Sequence, residues 1–341
     1  MPRRVIHETY GRARDVLLLQ EYAPEIPAAD EVIVRMEAAA MHIADLRTIE
    51  GVDTFRFPLP RTPGFEGIGY VVRVGSAVSQ WQIGDRVFPP LGSGTFCEEL
   101  RCKAATCLPA PAGDALQLSL LTVNGPTAAV MLEDFASLQP GDWLIQNAAN
   151  SSCGRYLIRL ARLRGIRMVN VVRRTELIDE LLALGGDVVL LDGDDLARRV
   201  AEATHHAPIK LGVDAVSGPA TQRLAECLAE DSPLISYGSM TNQRCEIDFY
   251  LMFRQGITLH GLSFVRQFRQ RTPEAVKALY AELAKLMSEG QLVAKIAAVY
   301  PLEEIVSACE HAARCGEDRE GKVIIAFNHS TQSLTSTTFP K

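Results

Sequence analysis

The stretch Asp142–Arg174 constrains the fold more than any other, because it predicts a complete strand, turn, helix and strand. Residues 143–146 are a short apolar run typical of a buried parallel strand. A turn of small residues over 147–154 leads into an amphipathic helix that we expect to begin near Arg155. A second apolar run over 168–172 predicts the next strand. In such a unit the turn lies at the carboxyl end of the first strand, where α/β sheets bind nucleotides, so we expect phosphate groups there.

The turn departs from the common dinucleotide fingerprint Gly-x-Gly-x-x-Gly. It reads Asn-Ala-Ala-Asn-Ser-Ser-Cys-Gly over 147–154, so only the last glycine, Gly154, remains. That glycine permits close packing of the helix, and hydroxyl residues can contact pyrophosphate beside the positive helix end. Arg173 and Arg174 follow the second strand, where an NAD site would place an acid, and arginines there neutralise a 2′-phosphate. The pattern predicts NADPH; the alternative is a strand, turn and helix that bind no cofactor.

Length and composition narrow the class of protein. A chain of 341 residues is long enough for two domains, and its net charge of -6 argues against a general nucleic-acid binder. No apolar run is long enough to span a membrane, and no secretory or transit peptide is evident. The 8 cysteines lack CxxC spacing, which is typical of buried thiols in a reducing compartment. We expect a soluble, cytoplasmic protein with a small-molecule substrate and neither a nucleic-acid nor a membrane partner.

The predicted secondary structure changes along the chain. Residues 1–117 predict short strands broken by Gly and Pro, and hence a β-rich partial barrel. Residues 118–265 alternate helix and strand, which predicts an α/β, doubly wound parallel sheet. The chain is expected to return to the first domain over 266–327. The Ser- and Thr-rich tail, 328–341, is expected to be flexible.

With these features in view, the chain resembles the medium-chain dehydrogenase/reductase superfamily over about residues 5–327. The resemblance rests on the segments 63–69 (Pro-Gly-Phe-Glu-Gly-Ile-Gly), 84–87 (Gly-Asp-Arg-Val) and 138–142 (Leu-Gln-Pro-Gly-Asp). Within the superfamily, residues 146–151 and 169–173 are most similar to the NADPH-dependent trans-2-enoyl thioester reductases. The resemblance implies a GroES-like, β-rich catalytic domain joined to a Rossmann domain that binds NADPH.

Several segments match parts of the family that contact the cofactor. Residues 123–128 correspond to a cofactor-contacting segment, 237–240 to the loop on the nicotinamide side, and 261–264 to a stretch that lines both cofactor and substrate clefts. The turn motif and the resemblance together give the expected cofactor-binding residues: Asn124, Thr127, Asn150, Ser151, Ser152, Cys153, Gly154, Arg173, Arg174, Tyr237, Gly238, Phe264 and Lys322.

Many members of the superfamily bind zinc, so its ligand positions are informative. His42 and Phe65 stand where zinc members place catalytic ligands, and His42 with Glu66 cannot make a three-ligand site. The structural zinc site of such members needs four cysteines, whereas this stretch has only Cys97, Cys102 and Cys107. We therefore predict no metal, which favours conjugate reduction over alcohol oxidation.

One departure from the 2-enoyl thioester reductases concerns their tyrosine proton donor. It lies two residues after the glycine that corresponds to Gly51, and this chain has Asp53 there. The chain also has Ser263 in place of an acyl-pocket aromatic residue and Gly125 in place of a proline. These departures put a fatty acyl substrate in question and leave the cofactor prediction intact.

The candidate proton sources are Asp53, His42 and Asp45. Asp53 would need a dry setting to stay protonated, and otherwise it is a solvated loop carboxylate. His42 has a suitable pKa, but a histidine at a strand end is as often a structural hydrogen bonder. Asp45 either orients a neighbour or caps a short helix that can start at Leu46.

The sequence thus predicts an NADPH-dependent, zinc-independent reductase of an activated C=C bond. The alternatives are a quinone oxidoreductase and a nucleotide-binding protein without catalysis. Residues 256–262 are alternately apolar and bounded by glycines, which predicts an edge strand. Because an open edge can pair with a second copy, we expect a homodimer centred on residues 257–262.

Overall fold

The computed structural model of the chain describes residues 1–52, 56–314 and 320–327. These residues form two compact units: the first comprises Met1–Leu120 and the chain from Ile296 onward, and the second is Leu121–Lys295. The predicted proton source Asp53 and the predicted flexible tail, 328–341, lie outside the described residues.

The first unit opens with strands and short helices; most of its strands are short, as the Gly- and Pro-rich sequence predicts, but two have 10 and 9 residues. In chain order they are β1 (Arg3–Ile6), α1 (Ala13–Val16), β2 (Leu18–Glu21), β3 (Glu31–Ala40), α2 (Ile43–Glu50), β4 (Glu66–Val74), β5 (Arg86–Phe88), β6 (Glu99–Lys103), β7 (Leu108–Pro109) and α3 (Ala115–Leu118).

The second unit alternates helices and strands. It contains α4 (Leu121–Glu133), β8 (Trp143–Gln146), α5 (Ser152–Leu163), β9 (Arg167–Val172), α6 (Ile178–Leu184), β10 (Val188–Leu191), α7 (Leu196–Ala203), β11 (Ile209–Asp214), α8 (Pro219–Ala225), β12 (Pro233–Ser236), α9 (Phe249–Gln255), β13 (Thr258–Gly261), α10 (Phe264–Phe268) and α11 (Pro273–Ser288). The chain then returns to the first unit with β14 (Ile296–Tyr300), α12 (Ile305–Ala313) and β15 (Lys322–Ala326).

The main sheet of the first unit is organised around β3. Among the described residues its strand order is β14-β15-β3-β4-β5-β7, and β6 also pairs with β3. The antiparallel registers place Ala40 of β3 opposite Glu66 of β4 on one side and opposite Ile324 of β15 on the other. The ends of these three strands therefore meet, although they come from distant parts of the chain.

The sheet of the second unit is parallel throughout the part of the chain that is described. Its order is β10-β9-β8-β11-β12-β13, so the strand order reverses between β8 and β11. This is the predicted doubly wound sheet. Ligands of such sheets bind outside the carboxyl ends of the strands at the reversal, where the turn before α5 lies.

The boundary after the second unit differs from the predicted one at residue 265. The second unit continues through α10 and α11 to Lys295. Tyr280 of α11 donates a buried hydrogen bond of 2.9 Å to the Thr122 carbonyl of α4, and Arg271 binds Glu133 of α4 at 2.8 Å. The amphipathic pattern of α11 shows that one face is buried, but it cannot show which unit that face packs against.

Within the described part of the chain, no helix is both long enough and apolar enough to cross a membrane.

Candidate functional site

The turn between β8 and α5 is closed by a helix cap. Ser151 is the N-cap of α5, and its Oγ accepts a hydrogen bond of 3.1 Å from the Gly154 backbone N–H. The helix therefore begins at Ser152, before the predicted start near Arg155, because the small residues of 152–154 already have helical geometry. Apolar periodicity misses such a turn, whereas a serine placed before the helix is a sequence signal that could have found it.

Gly154 lets the first helical turn of α5 pack directly against the backbone of the loop that precedes the helix. A Cβ atom at this position would lie 2.7 Å from the Ala149 carbonyl oxygen and 3.0 Å from that of Ala148. Gln146 of β8 binds the Gly154 carbonyl from its Nε2 at 3.1 Å, which fixes the same turn. The N-terminus of α5 is thus held close to its loop, as a site for pyrophosphate requires.

Arg155 also fixes this turn, which the sequence did not predict. The arginine is only 8% exposed, although it lies off the apolar stripe of α5. Its Nε donates to the Asn150 carbonyl at 3.0 Å, and its Nη2 lies 3.0 Å from the Glu180 carboxylate of α6. The guanidinium therefore ties the loop to two helices, whereas Arg162 of the same helix is exposed.

A second set of contacts that the sequence did not predict lies between β8 and β11. The buried Asp214 carboxylate accepts from Asn147 Nδ2 at 2.6 Å and from Thr221 Oγ1 at 2.6 Å. It also accepts the backbone N–H groups of Val216 at 2.8 Å and Ser217 at 3.1 Å. This carboxylate joins the ends of β8, β11 and α8 at the reversal of strand order, so it positions the first residue of the nucleotide turn.

The two arginines after β9 differ in their surroundings. Arg173 is exposed, and Arg174 is partly buried with its Nη1 3.4 Å from Glu176. Both lie at the carboxyl end of β9, next to β8 in the sheet. A 2′-phosphate bound there would meet the guanidinium of Arg173 in solvent, whereas Arg174 already has an acidic neighbour.

Asn124 and Thr127 lie on α4 and are nearly buried. The Thr127 hydroxyl donates to the Val123 carbonyl at 2.6 Å, and Cys153 of α5 donates from its thiol to the Asn124 carbonyl at 3.8 Å. The side-chain nitrogen of Asn124 is buried without a hydrogen-bond acceptor among the described residues. A buried amide donor of this kind costs free energy unless a ligand accepts from it.

The remaining predicted cofactor residues of the second unit lie after β12 and β13. The hydroxyl of Tyr237 is buried, and burial raises its pKa well above the usual range. The Gly238 carbonyl accepts from Ser217 Oγ at 3.2 Å. Phe264 begins α10 and packs edge-on against Phe268, with ring centroids 5.6 Å apart.

These residues fit the predicted NADPH. The second unit offers a capped helix start that a glycine keeps close to its loop, a buried amide nitrogen on α4 and an exposed arginine after β9. Asn150, Ser151, Ser152 and Cys153 occupy the turn and the first turn of α5 itself. Of the predicted cofactor residues only Lys322 belongs to the first unit, on β15.

In the first unit, β3, β4 and β15 bring three ionisable side chains together. His42 follows β3, and its Nε2 is hydrogen-bonded to the Glu66 carboxylate. Its Nδ1 lies 3.0 Å from the Nζ of Lys322. Burial lowers the pKa of His42, and the neighbouring Lys322 charge lowers it further. The predicted proton source His42 is therefore a neutral, buried ring with a partner at each nitrogen.

Asp45 has the capping role that was one of its two predicted alternatives. The helix α2 begins at Ile43, before the predicted Leu46, and the Asp45 carboxylate accepts the His42 backbone N–H at 2.8 Å. The residue is fully buried, and burial raises the pKa of Asp45 to about 7. Its side chain thus fixes the backbone of His42 and has no route to solvent.

For metals, the described ranges contain no group of three or more His, Cys, Asp or Glu side chains that could hold an ion. Cys102 and Cys107 lie near each other, with sulfur atoms 3.4 Å apart, in the stretch predicted to lack a structural zinc.

Both units of the chain contain residues that match known protein families. Residues 28–113 match the alcohol dehydrogenase GroES-like domain, and residues 184–325 match the zinc-binding dehydrogenase family. The mitochondrial enoyl-[acyl-carrier-protein] reductase of Caenorhabditis elegans is 34% identical over 300 residues, which cover 85% of this chain and 86% of the relative.

Two solved structures share the whole architecture. A protein of Bacillus thuringiensis, assigned as an NADPH:quinone reductase, is 26% identical with a TM-score of 0.88, and the match covers 95% of this chain and 98% of the other. The mitochondrial 2-enoyl thioester reductase heterodimer of Candida tropicalis is 25% identical with a TM-score of 0.84, and the match covers 95% and 99% of the two chains.

Proposed function

The chain belongs to the medium-chain dehydrogenase/reductase superfamily, and from that premise we propose that it is an NADPH-dependent reductase of the carbon–carbon double bond of 2-enoyl thioesters. The proposal of NADPH as cofactor rests on the turn before α5, where a serine cap and a close-packed glycine meet at the end of β8. The observation that favours the thioester is the enoyl reductase relative, which aligns along most of both chains.

In this proposal the second unit binds the cofactor through several groups. NADPH, when bound, supplies a hydride for the β-carbon of the substrate. The backbone N–H groups at the start of α5 bind pyrophosphate, and Arg173 binds the 2′-phosphate. Asn124 donates its buried amide to the cofactor, which satisfies a donor that has no acceptor among the described residues. The chain therefore contributes binding and orientation, while the cofactor contributes the reducing electrons.

The proposal is tested by NADPH oxidation with a panel of acceptors. We expect turnover with a short 2-enoyl thioester and little with a saturated aldehyde or ketone. Turnover of quinones together with inertness toward every enoyl thioester would replace the proposed substrate class.

A quinone is the second candidate acceptor, because the Bacillus thuringiensis protein shares the fold and Asp53 replaces the family tyrosine. Quinone reduction needs no dedicated tyrosine, since solvent can protonate the oxygens of the product. A nucleotide-binding protein without catalysis is not favoured, because the compared relatives are reductases by name.

Cellular location stays a prediction. The sequence favours the cytoplasm, whereas the enoyl reductase relative of Caenorhabditis elegans is mitochondrial by name. Fractionation of cells that express the full chain would decide between the two compartments.

Replacing Arg173 with alanine is expected to remove most of the preference for NADPH. The exposed guanidinium has a 2′-phosphate as its expected partner, and losing this charged contact should weaken NADPH binding at least about tenfold, or roughly 1.4 kcal/mol. Binding of NADH should not change, because it lacks that phosphate. Fluorescence titrations of both nucleotides measure the effect, and Arg159→Ala on α5 is the matched control. An unchanged NADPH:NADH ratio would refute the role of Arg173.

The proposed homodimer has support from the sheet edge. Among the described residues β13 is the last strand of its sheet, and each of its residues is exposed. The preceding helix α9 carries Phe249 and Phe253, which are 62% and 71% exposed and stack on each other. An open edge beside exposed aromatic side chains is the kind of surface that a second copy covers.

Proline at Leu259 is expected to shift the proposed dimer toward monomer. The N–H groups of Thr258 and Leu262 donate inward to Ser232 and Ser236, so the intervening N–H of Leu259 points away from β12. Proline there deletes an outward donor without breaking the internal ladder. Light scattering should show the monomer mass for Leu259→Pro and the dimer mass for the control Leu259→Thr, which keeps its N–H. A monomeric unmodified chain at micromolar concentration would dispose of the dimer.

A further inference from the structure

An acidic residue of the second unit lies beside the end of β9. Asp192 directly follows β10, and its backbone N–H donates to the Val172 carbonyl at 2.8 Å. Val172 is the last residue of β9 and directly precedes Arg173, to which the proposed function assigns the 2′-phosphate. The sheet therefore places the backbone of an aspartate against the strand end that carries this arginine.

Arg223 of α8 holds the Asp192 carboxylate through two hydrogen bonds. Its Nε donates to Oδ1 at 2.7 Å and its Nη2 to Oδ2 at 2.6 Å, which is the two-point geometry of a guanidinium on a carboxylate. The backbone N–H of Gly193 also donates to Oδ1, at 2.9 Å. The Asp192 and Arg223 side chains are only 19% and 21% exposed. Both carboxylate oxygens thus have a donor, and an arginine balances their charge away from bulk water.

This ion pair lies at the edge of the sheet where ligands bind. In the sheet β9 and β8 separate β10 from β11, and α8 is the helix that follows β11. Asp192 after β10 and Arg223 of α8 therefore meet over the carboxyl edge, at the reversal of strand order. The other acidic residues of the loops after β9 and β10, Glu176, Asp194 and Asp195, are exposed to water, which screens their charge.

We propose that the Asp192–Arg223 pair sets the preference for NADPH over NADH, with Arg223 as a positioning residue; this rests on the proposed function. The 2′-phosphate of NADPH carries about two negative charges, whereas the 2′-hydroxyl of NADH is neutral and can donate a hydrogen bond. A free Asp192 carboxylate would repel the phosphate and accept from the hydroxyl, as acidic residues of NAD sites do. Arg223 occupies both oxygens of that carboxylate, so Arg173 meets the phosphate without a competing charge.

The test compares the Kd of NADPH with that of NADH, by fluorescence titration of full-chain variants. Arg223→Ala should lower the preference for NADPH at least about tenfold, through weaker NADPH binding and unchanged or tighter NADH binding. Arg223→Lys keeps a positive charge beside the carboxylate and should stay within about threefold of the original preference. Adding Asp192→Asn to Arg223→Ala removes the freed charge and should restore the preference. Arg198→Ala, a variant of an exposed ion pair on α7, is the matched control and should change neither Kd.

Three results would overturn the proposal. They are an unchanged NADPH:NADH ratio in Arg223→Ala, equal weakening of both nucleotides, and a double variant that does not recover the preference. If Arg223→Ala does not fold, Arg223→Met, with its long neutral side chain, takes its place with the same expected result. An unmodified chain that binds neither nucleotide would defeat the proposed function itself. A chain that reduces an enoyl thioester with NADPH and keeps its preference in Arg223→Ala would defeat only the role of the ion pair.

Discussion

Replacing Asp214 with alanine should lower the free energy of unfolding by about 3–5 kcal/mol, because removal of this buried carboxylate leaves the groups that donate to it without an acceptor. Its oxygens accept from Asn147 at 2.6 Å, from Thr221 at 2.6 Å and from two backbone N–H groups. The change also frees Asn147, the first residue of the nucleotide turn, so NADPH should bind more weakly. Chemical denaturation followed by circular dichroism measures the first effect, and titration with NADPH the second.

Asp248 provides the matched control for Asp214. It caps α9 by accepting the Tyr250 N–H at 2.6 Å, but it lies at the surface. Asp248→Ala should cost only about 1 kcal/mol, the usual loss for an N-cap. Equal destabilisation by the two substitutions would mean that the contacts between β8 and β11 do not hold the turn in the way described.

Replacing Gly154 with valine should weaken NADPH binding at least about 100-fold, or roughly 2.7 kcal/mol. Even the first carbon of the new side chain would meet the Ala149 carbonyl oxygen at 2.7 Å, and this neighbour is backbone that cannot rotate away. The start of α5 must then move from its loop, and the N–H groups that would bind pyrophosphate move with it. Isothermal titration of the folded variant measures the loss.

Gly193→Ala is the control for this substitution. A Cβ atom there would approach only the ends of two side chains, that of Arg199 at 3.3 Å and that of Asp195 at 3.7 Å, so NADPH affinity should stay unchanged. Tight binding by Gly154→Val would show that the pyrophosphate lies elsewhere on the sheet.

The sequence predicted the central unit of the fold because local rules govern it. Apolar runs before and after the turn specify β8 and β9, and the apolar stripe specifies α5. The features that it missed depend on tertiary contacts. Arg155 has the charge of a surface residue, and only its contacts with Asn150 and Glu180 show that it is buried.

Long-range contacts explain why the first unit was harder to predict. His42 and Lys322 are 280 positions apart in the chain, and the pairing of β15 and β4 with β3 brings their neighbourhoods together. The sequence predicted each residue for a separate role, one as a proton source and one as a cofactor contact. No local pattern relates them, since sheet register over such a separation is set by the whole fold.

Delivery of hydride to the β-carbon of a 2-enoyl thioester is tested most directly with NADPH that carries deuterium on the transferred position of the nicotinamide ring. A short 2-enoyl thioester is turned over with this cofactor, and the product is analysed by mass spectrometry. We expect a saturated thioester with one deuterium at the β-carbon for each NADPH oxidised, and solvent hydrogen at the α-carbon. Oxidation of NADPH that leaves the thioester unreduced, or deuterium found at the α-carbon, would contradict it.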